Sequence, residues 1–155
     1  MKAHVQIRRV SADRDKAKAF AIRLRVFVKE QGVPGEIELD SDDRRAIHFL
    51  ALVLGRAVGT ARLVIRRGSA KIGRMAVLKS HRGKGVGRKL LQRAIAAAEK
   101  FGAKRIYLHA QVAVMEFYKK SGFRPIGPVF EEAAIPHRKM IYRAWKNSRK
   151  NRSAA

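Results

Sequence analysis

The sequence predicts an α+β fold in which a mixed, mainly antiparallel central sheet of about six to seven strands is flanked by helices. Three observations lead there. Short alternating or continuous apolar segments are separated by glycine turns, and longer segments repeat apolar residues every three or four positions. Their order along the chain is β-α-β-β-β-α-β-α-β-β.

His4 to Val10 carries Val5 and Ile7 in alternation and reads as the first strand, with Ser11 and Asp13 as candidate caps for the helix that follows. That helix is expected to run to about Glu30. Ala17, Phe20, Ala21, Leu24, Phe27 and Val28 form its predicted core stripe, and the rest of its surface is basic. Gly32, Pro34 and Gly35 end it, and the acidic stretch to Asp43 is expected to be a loop. Ile47 to Leu54 and Ala57 to Ile65 make a hairpin about Gly55-Arg56, and Gly68-Ser69 turns into a third strand, Lys71 to Leu78. Lys84 to Phe101 spaces Val86, Leu90, Leu91, Ile95 and Ala98 as a helix that Gly102 stops. Arg105 to Ala110 follows as a short strand, and Val114 to Lys120 as a short helix. Then come a strand from Phe123 interrupted by Pro125 and Pro128, and a last strand from His137 to Trp145.

With 155 residues and 46% apolar content the chain suits one unit, taken as residues 1–145, followed by a basic tail over 146–155 that is expected to fray. No apolar run reaches the roughly 18 residues of a membrane span, and the start lacks the apolar stretch of a secretory signal, so the expected location is the cytoplasm. The chain has no cysteine, which excludes disulfides and a cysteine nucleophile; no histidine or carboxylate spacing points to a metal, so none is expected.

A formal charge of +24 attracts polyanions. The basic residues are spread along the whole chain without an aromatic platform or a helix-turn-helix pattern, so contact with nucleic acid is expected to be non-specific. The acids are clustered. Six of the twelve, Glu30, Glu36, Glu38, Asp40, Asp42 and Asp43, fall within fourteen positions. They read either as a negative site for a cationic substrate or as solvated loop residues offsetting the basic surface.

Gly83, Gly85 and Gly87 stand at alternate positions directly before the most regular helix. Such a turn brings backbone N–H groups close to a ligand, and the helix adds its unpaired first-turn donors and the positive end of its dipole. Arg82, Lys84, Arg88 and Lys89 add charge, so the turn suits a ligand with several phosphates. It lacks the Walker spacing, and the strand before it ends a meander instead of opening a βαβ unit.

The segment Met75 to Leu91, with Arg82-Gly83-Lys84-Gly85-Val86-Gly87 at its centre, resembles the acetyl-CoA motif of the GNAT superfamily of N-acetyltransferases. Downstream, Tyr118-Lys119-Lys120-Ser121-Gly122-Phe123 resembles that superfamily's Tyr-x-x-x-Gly-Phe element. Arg25 to Pro34 with Glu38, Asp40 and His48 looks like its small bacterial ElaA-like or YjcF-like branch.

The resemblance implies an acetyl-CoA-dependent N-acetyltransferase that passes the acetyl group directly to a primary amine of a small molecule, peptide or protein. Met75, Ala76 and Val77 would pair through their backbone with the pantetheine arm. Arg82, Gly83, Lys84, Gly85, Val86, Gly87 and Arg88 would hold the pyrophosphate, and Gln111 would add a cofactor hydrogen bond. Tyr118 aligns with the superfamily's tyrosine acid; a phenol near ~10 can deliver a proton to a thiolate near ~8.5. Where some members carry a glutamate base, this chain has Ile72-Gly73-Arg74-Met75, and arginine cannot act as one. Glu38 is the leading substitute, with Glu30, His109, Glu132 and His137 as others. Glu30, Glu38 and Asp40 are the candidate acceptor-binding acids. Many members dimerise, so a homodimer is an open expectation. The contrasting reading is a non-catalytic acyl-CoA-binding or RNA- or ribosome-associated module that uses the basic surface.

Overall fold

A computed structural model describes residues 4–142. The strands are β1 (Val5–Arg9), β2 (Ile47–Val53), β3 (Arg56–Arg66), β4 (Ser69–Val77), β5 (Arg105–Gln111), β6 (Phe123–Glu132) and β7 (Ile135–Tyr142). They form one seven-stranded sheet in the order β1-β2-β3-β4-β5-β7-β6, and only the β4–β5 pair is parallel. The fold class read from the sequence is therefore correct. Trp145 and the basic tail 146–155 lie outside the described residues.

Helix α1 (Asp13–Arg23) continues as a π-helical stretch over Leu24–Glu30; α2 (Gly35–Glu38) is a single turn, α3 spans Val86–Lys100 and α4 spans Met115–Lys120. Val86, Leu90, Leu91, Ala94 and Ile95 of α3 are buried in the larger core with Phe49, Leu63, Ile72, Ile106, Leu108 and Met140. A smaller core includes Ala19, Ile22 and Val26 of the first helix with Leu50, Leu52 and Ala76 of the sheet. The interruption expected at Pro125 and Pro128 is a register shift between Ile126 and Phe130.

The first helix buries only part of the stripe its apolar pattern predicts: Phe20, Phe27 and Val28 are half-buried, Ala17, Ala21 and Leu24 are exposed, and Asp15, Ala19, Ile22, Arg23 and Val26 face inward. Two of those inward positions are charged, so a hydrophobic pattern cannot find the face. The ionic partners make it possible: Asp15 meets Arg8 at 2.9 Å, and Arg23 meets Glu38 at 3.1 Å and Asp43 at 2.7 Å. Neither Ser11 nor Asp13 caps the helix; Ala12 stands at the cap position without a side-chain hydrogen bond.

The acidic stretch is likewise more ordered than a loop. It folds into α2 and a 3-10 turn, Ser41–Arg44, closed by reciprocal hydrogen bonds between Asp40 and Asp43. Its carboxylates converge on arginines of three elements: Asp43 on Arg23 and Arg62, Asp40 on Arg62 and Arg74, Glu38 on Arg23 and Arg74. Burial pushes the Asp43 carboxyl up, but the hydrogen bond and charge of Arg23, with help from Arg62, outweigh it and lower it to about 2.

Arg23→Met would leave Glu38 and Asp43 with an uncompensated buried charge, so urea denaturation should show a loss of about 3–5 kcal/mol; an unchanged midpoint would show that the network is not what holds the segment. Because the Asp43 value is depressed when folded, its stabilisation is complete above the ordinary 3.8 and disappears as pH falls through about 2. Thermal midpoints recorded from pH 5 to 2 should therefore fall less steeply for Asp43→Asn than for the parent chain.

Candidate active site

The sheet opens in its middle. β4 and β5 pair only from Ser69–Arg105 to Ile72–Leu108, although β4 stays paired to β3 as far as Val77 and β5 to β7 as far as Gln111. Beyond Ile72 and Leu108 the two strands present unpaired edges to a wedge-shaped gap, with Met75, Ala76 and Val77 along one side and Gln111 on the other. The cause is a bulge: Arg74 and Met75 of β4 lie across from the single residue Ala61 of β3. Arg74 adopts φ 47°, a conformation costly for a side chain with a Cβ. Its guanidinium donates to the Glu38 carbonyl at 3.1 Å and to Asp40 Oδ2 at 3.1 Å, which holds the strained residue in place.

Past β4, a 3-10 turn, Lys79–His81, leads into the glycine turn. Gly83 and Gly85 sit at φ 74° and 85°, and a Cβ on either would touch nothing, so backbone conformation alone calls for glycine there. Gly87 is different: a Cβ would come within 3.3 Å of the Phe117 ring, so this glycine lets the start of α3 pack against α4. The first intrahelical hydrogen bond runs from Lys89 N–H to the Gly85 carbonyl, and Gly85 provides no side-chain cap. The N–H groups of Val86, Gly87 and Arg88 therefore precede the ladder without intrahelical partners. Lys84 and Arg88 are exposed around them.

Arg82 turns back toward the sheet, donating to the Val77 carbonyl and to Glu30, both at 2.8 Å. An open groove lined by Arg25, Lys29, Glu30, Leu78, Lys79, Ser80 and Arg82 runs between the π-helical stretch and the turn. Two residues read as belonging to different sites, Glu30 for the acceptor and Arg82 for the donor, are thus joined in one ion pair.

Tyr118 lies on the α3 side of the sheet, packed against the larger core, with its hydroxyl 4.0 Å from the Met75 sulfur. Burial pushes its phenol up to about 12. Gln111 donates to Gln31 at 2.9 Å across the end of the gap. Glu38, the leading base from the sequence, is only 2% exposed and its Oε1 is taken up by Arg23 and Arg74; Asp40 is tied to Arg62 and Arg74. Both carboxylates are structural partners of the bulge in this geometry. No group of three or more His, Cys, Asp or Glu side chains among the described residues is arranged to hold a metal ion, and no described helix is long and apolar enough to cross a membrane.

A split between a parallel strand pair lies beside a glycine turn and an open helix N-terminus, and the chain belongs to the GNAT acetyltransferase family, a class of acyltransferases. The acetyltransferase (GNAT) domain matches residues 12–144. The chain is 40% identical to the uncharacterized N-acetyltransferase YjcF of Bacillus subtilis over 124 residues, 79% of this chain and 89% of that protein. It is 33% identical to the protein ElaA of Escherichia coli over 122 residues, 75% and 79% of the two chains. Among solved structures, a putative N-acetyltransferase from Lactobacillus plantarum superposes with a TM-score of 0.82 at 26% identity, covering 89% of this chain and 97% of that one.

Because burial keeps the Tyr118 hydroxyl protonated, ultraviolet titration of the tyrosines should contain one component at about 12. That component should vanish in Tyr118→Phe; its persistence would assign it to another tyrosine.

Proposed function

We propose that this enzyme transfers the acetyl group of acetyl-CoA to a primary amine by direct attack within a ternary complex. The observation that carries the reading is the alignment of two unsatisfied backbone surfaces, the free edge of β4 and the bare N-terminus of α3, along one path. The donor's shape fits that path: an amide-bearing arm can pair with Met75, Ala76 and Val77 as an added strand, and a pyrophosphate suits the helix end. In this reading the main-chain N–H groups from Gly83 to Arg88 hold the pyrophosphate, and Arg82, Lys84 and Arg88 neutralise it. Such donors are already fixed by the fold, so little ordering entropy is lost on binding. Gln111 offers its amide across the gap.

Acetyl-CoA, when bound, supplies an activated acyl thioester. Tyr118 donates its hydroxyl proton to the departing thiolate. Its hydroxyl lies 4.0 Å from the Met75 thioether on the free edge of β4, and burial keeps the proton on the oxygen at neutral pH until a thiolate develops beside it. Glu38 and Asp40 act on the reaction only through the bulge they hold. Glu30 controls Arg82 through their ion pair, which gives the acidic segment a part in donor binding as well.

Tyr118→Phe should lower kcat for acetyl transfer by about 10²–10⁴-fold while leaving the acetyl-CoA Kd unchanged; full kcat across the pH range would remove the tyrosine from the acid role. Gly85→Val must place a β-branched residue at φ 85°, at a cost of about 1–2 kcal/mol. Calorimetry should show acetyl-CoA binding weakened about tenfold, and unchanged affinity would move the pyrophosphate elsewhere.

A further inference from the structure

One cluster of titratable side chains stands apart from the ion network, on the sheet face opposite Tyr118. Ile106, Leu108 and Ala110 of β5 are buried on the α3 side, so Tyr107, His109 and Gln111 project from the other face. His109 is the first β5 residue beyond the last pair with β4, and so sits where the sheet begins to open. Its Nδ1 lies 3.1 Å from Glu132 Oε1, and the other carboxylate oxygen lies 3.7 Å from His137 Nε2. The hydrogen bond from His109, assisted by the charges of Lys71 and the two histidines, lowers the Glu132 carboxyl to about 2 despite partial burial. Glu132 is therefore a carboxylate at any working pH.

A carboxylate only accepts hydrogen bonds, so Nδ1 of His109 must carry the proton, and the neutral ring keeps its lone pair on Nε2. No described group hydrogen-bonds to that Nε2. The hairpin between β6 and β7 fixes the carboxylate: Ala133 and Ala134 turn the chain in two left-handed residues at φ 52° and 60°, which locks Glu132 opposite Ile135. His137 is held in turn by Nδ1–H donation to the Ile135 carbonyl at 2.7 Å. The remaining neighbours are the Phe130 ring, edge-on at 5.0 Å, Tyr107 at 6.0 Å, and Lys139, which pairs with His109 in register and lies over the Tyr107 ring.

We propose that His109 is the general base of the transfer reaction, accepting a proton from the acceptor amine at Nε2, and that Glu132 is the positioning residue that fixes its tautomer. This rests on the acetyl-transfer reading above. His109 takes one proton from the bound ammonium, which frees the nitrogen lone pair for attack. As the N–C bond forms and the C–S bond breaks, the thiolate takes the Tyr118 proton and the nitrogen's second proton passes to the Tyr118 phenolate, giving an amide and a free thiol. His109 then releases its proton to solvent. Base and acid thus reach the gap from opposite faces of the sheet, and the acceptor enters on the His109 face.

The test uses the full-length enzyme with acetyl-CoA and two amines. Phenethylamine is an ammonium near neutral pH and needs the base; hydroxylamine is neutral there, and its adduct loses a proton to water readily. His109→Gln should lower kcat with phenethylamine by about 10²-fold or more, lose far less with hydroxylamine, and recover as pH rises and the amine deprotonates unaided. Glu132→Gln should release the Nδ1 tautomer, seen by ¹⁵N NMR as a proton no longer confined to Nδ1, and should lower kcat with phenethylamine far more than with hydroxylamine, a pairing of effects that a purely structural residue would not produce. Equal losses on both amines, or a full-rate His109→Gln with an unchanged profile, would overturn the assignment while leaving acetyl transfer intact. Absence of transfer by the unmodified enzyme to either amine would overturn the acetyltransferase reading and this one together. Independently of turnover, ¹⁵N NMR of the neutral His109 ring should find the proton on Nδ1; a proton on Nε2 would overturn the dyad.

Discussion

The buried convergence of Arg23, Arg62 and Arg74 on Glu38, Asp40 and Asp43 is the interaction on which the other features of this enzyme rest. Taking isolated charges out of water costs several kcal/mol each, so such a cluster persists only when each ion has partners. Here the partners are shared: Asp43 serves two arginines, and Glu38 serves two more contacts. The depressed Asp43 value shows that attraction exceeds desolvation at that residue. The sharing is incomplete, since Glu38 Oε2 and Arg62 Nε have no hydrogen-bond partner. Those two atoms are a residual cost, carried by the geometry the network imposes.

That geometry shapes the opening in the sheet. The network binds the first helix to the acidic segment and the acidic segment to Arg74, whose left-handed backbone makes the β4 bulge. The bulge lets β4 turn away from β5, and the divergence leaves two backbone edges unpaired inside a sheet, where unpaired groups are ordinarily costly. A donor with amide groups along its length can satisfy them. Strain at Arg74 and unpaired edges nearby are thus two parts of one arrangement, in which folding energy maintains an open gap.

The acidic segment also bears on the charge of the molecule. Half of the carboxylates lie in that stretch, but Glu38 and Asp43 are buried and their charge is spent on internal arginines. The exposed Lys84, Arg88 and Lys89 around the glycine turn are left without acids from that segment, which favours an anionic donor at the turn.

The order of elements, the α3 core stripe and the glycine turn can be read along the chain, because each depends on local periodicity or on the backbone freedom of a residue at a known place. Gly83 and Gly85 were legible for that reason, and Tyr118 through its spacing to Gly122-Phe123. The pairing of charges emerges only when distant segments meet in the fold. Glu38 and Asp40 read either as acceptor-binding acids or as solvated loop residues, because nothing local links residues 38 and 40 to arginines at 23, 62 and 74. The same blindness misplaced the inward face of the first helix, whose charged positions Asp15 and Arg23 look solvent-facing until their partners arrive. His109 and Glu132 are 23 residues apart and joined only by strand pairing and a two-residue turn. Local pattern reports what each residue prefers in water; burial with a distant counter-charge reverses that preference, and the reversal exists only once the chain has folded.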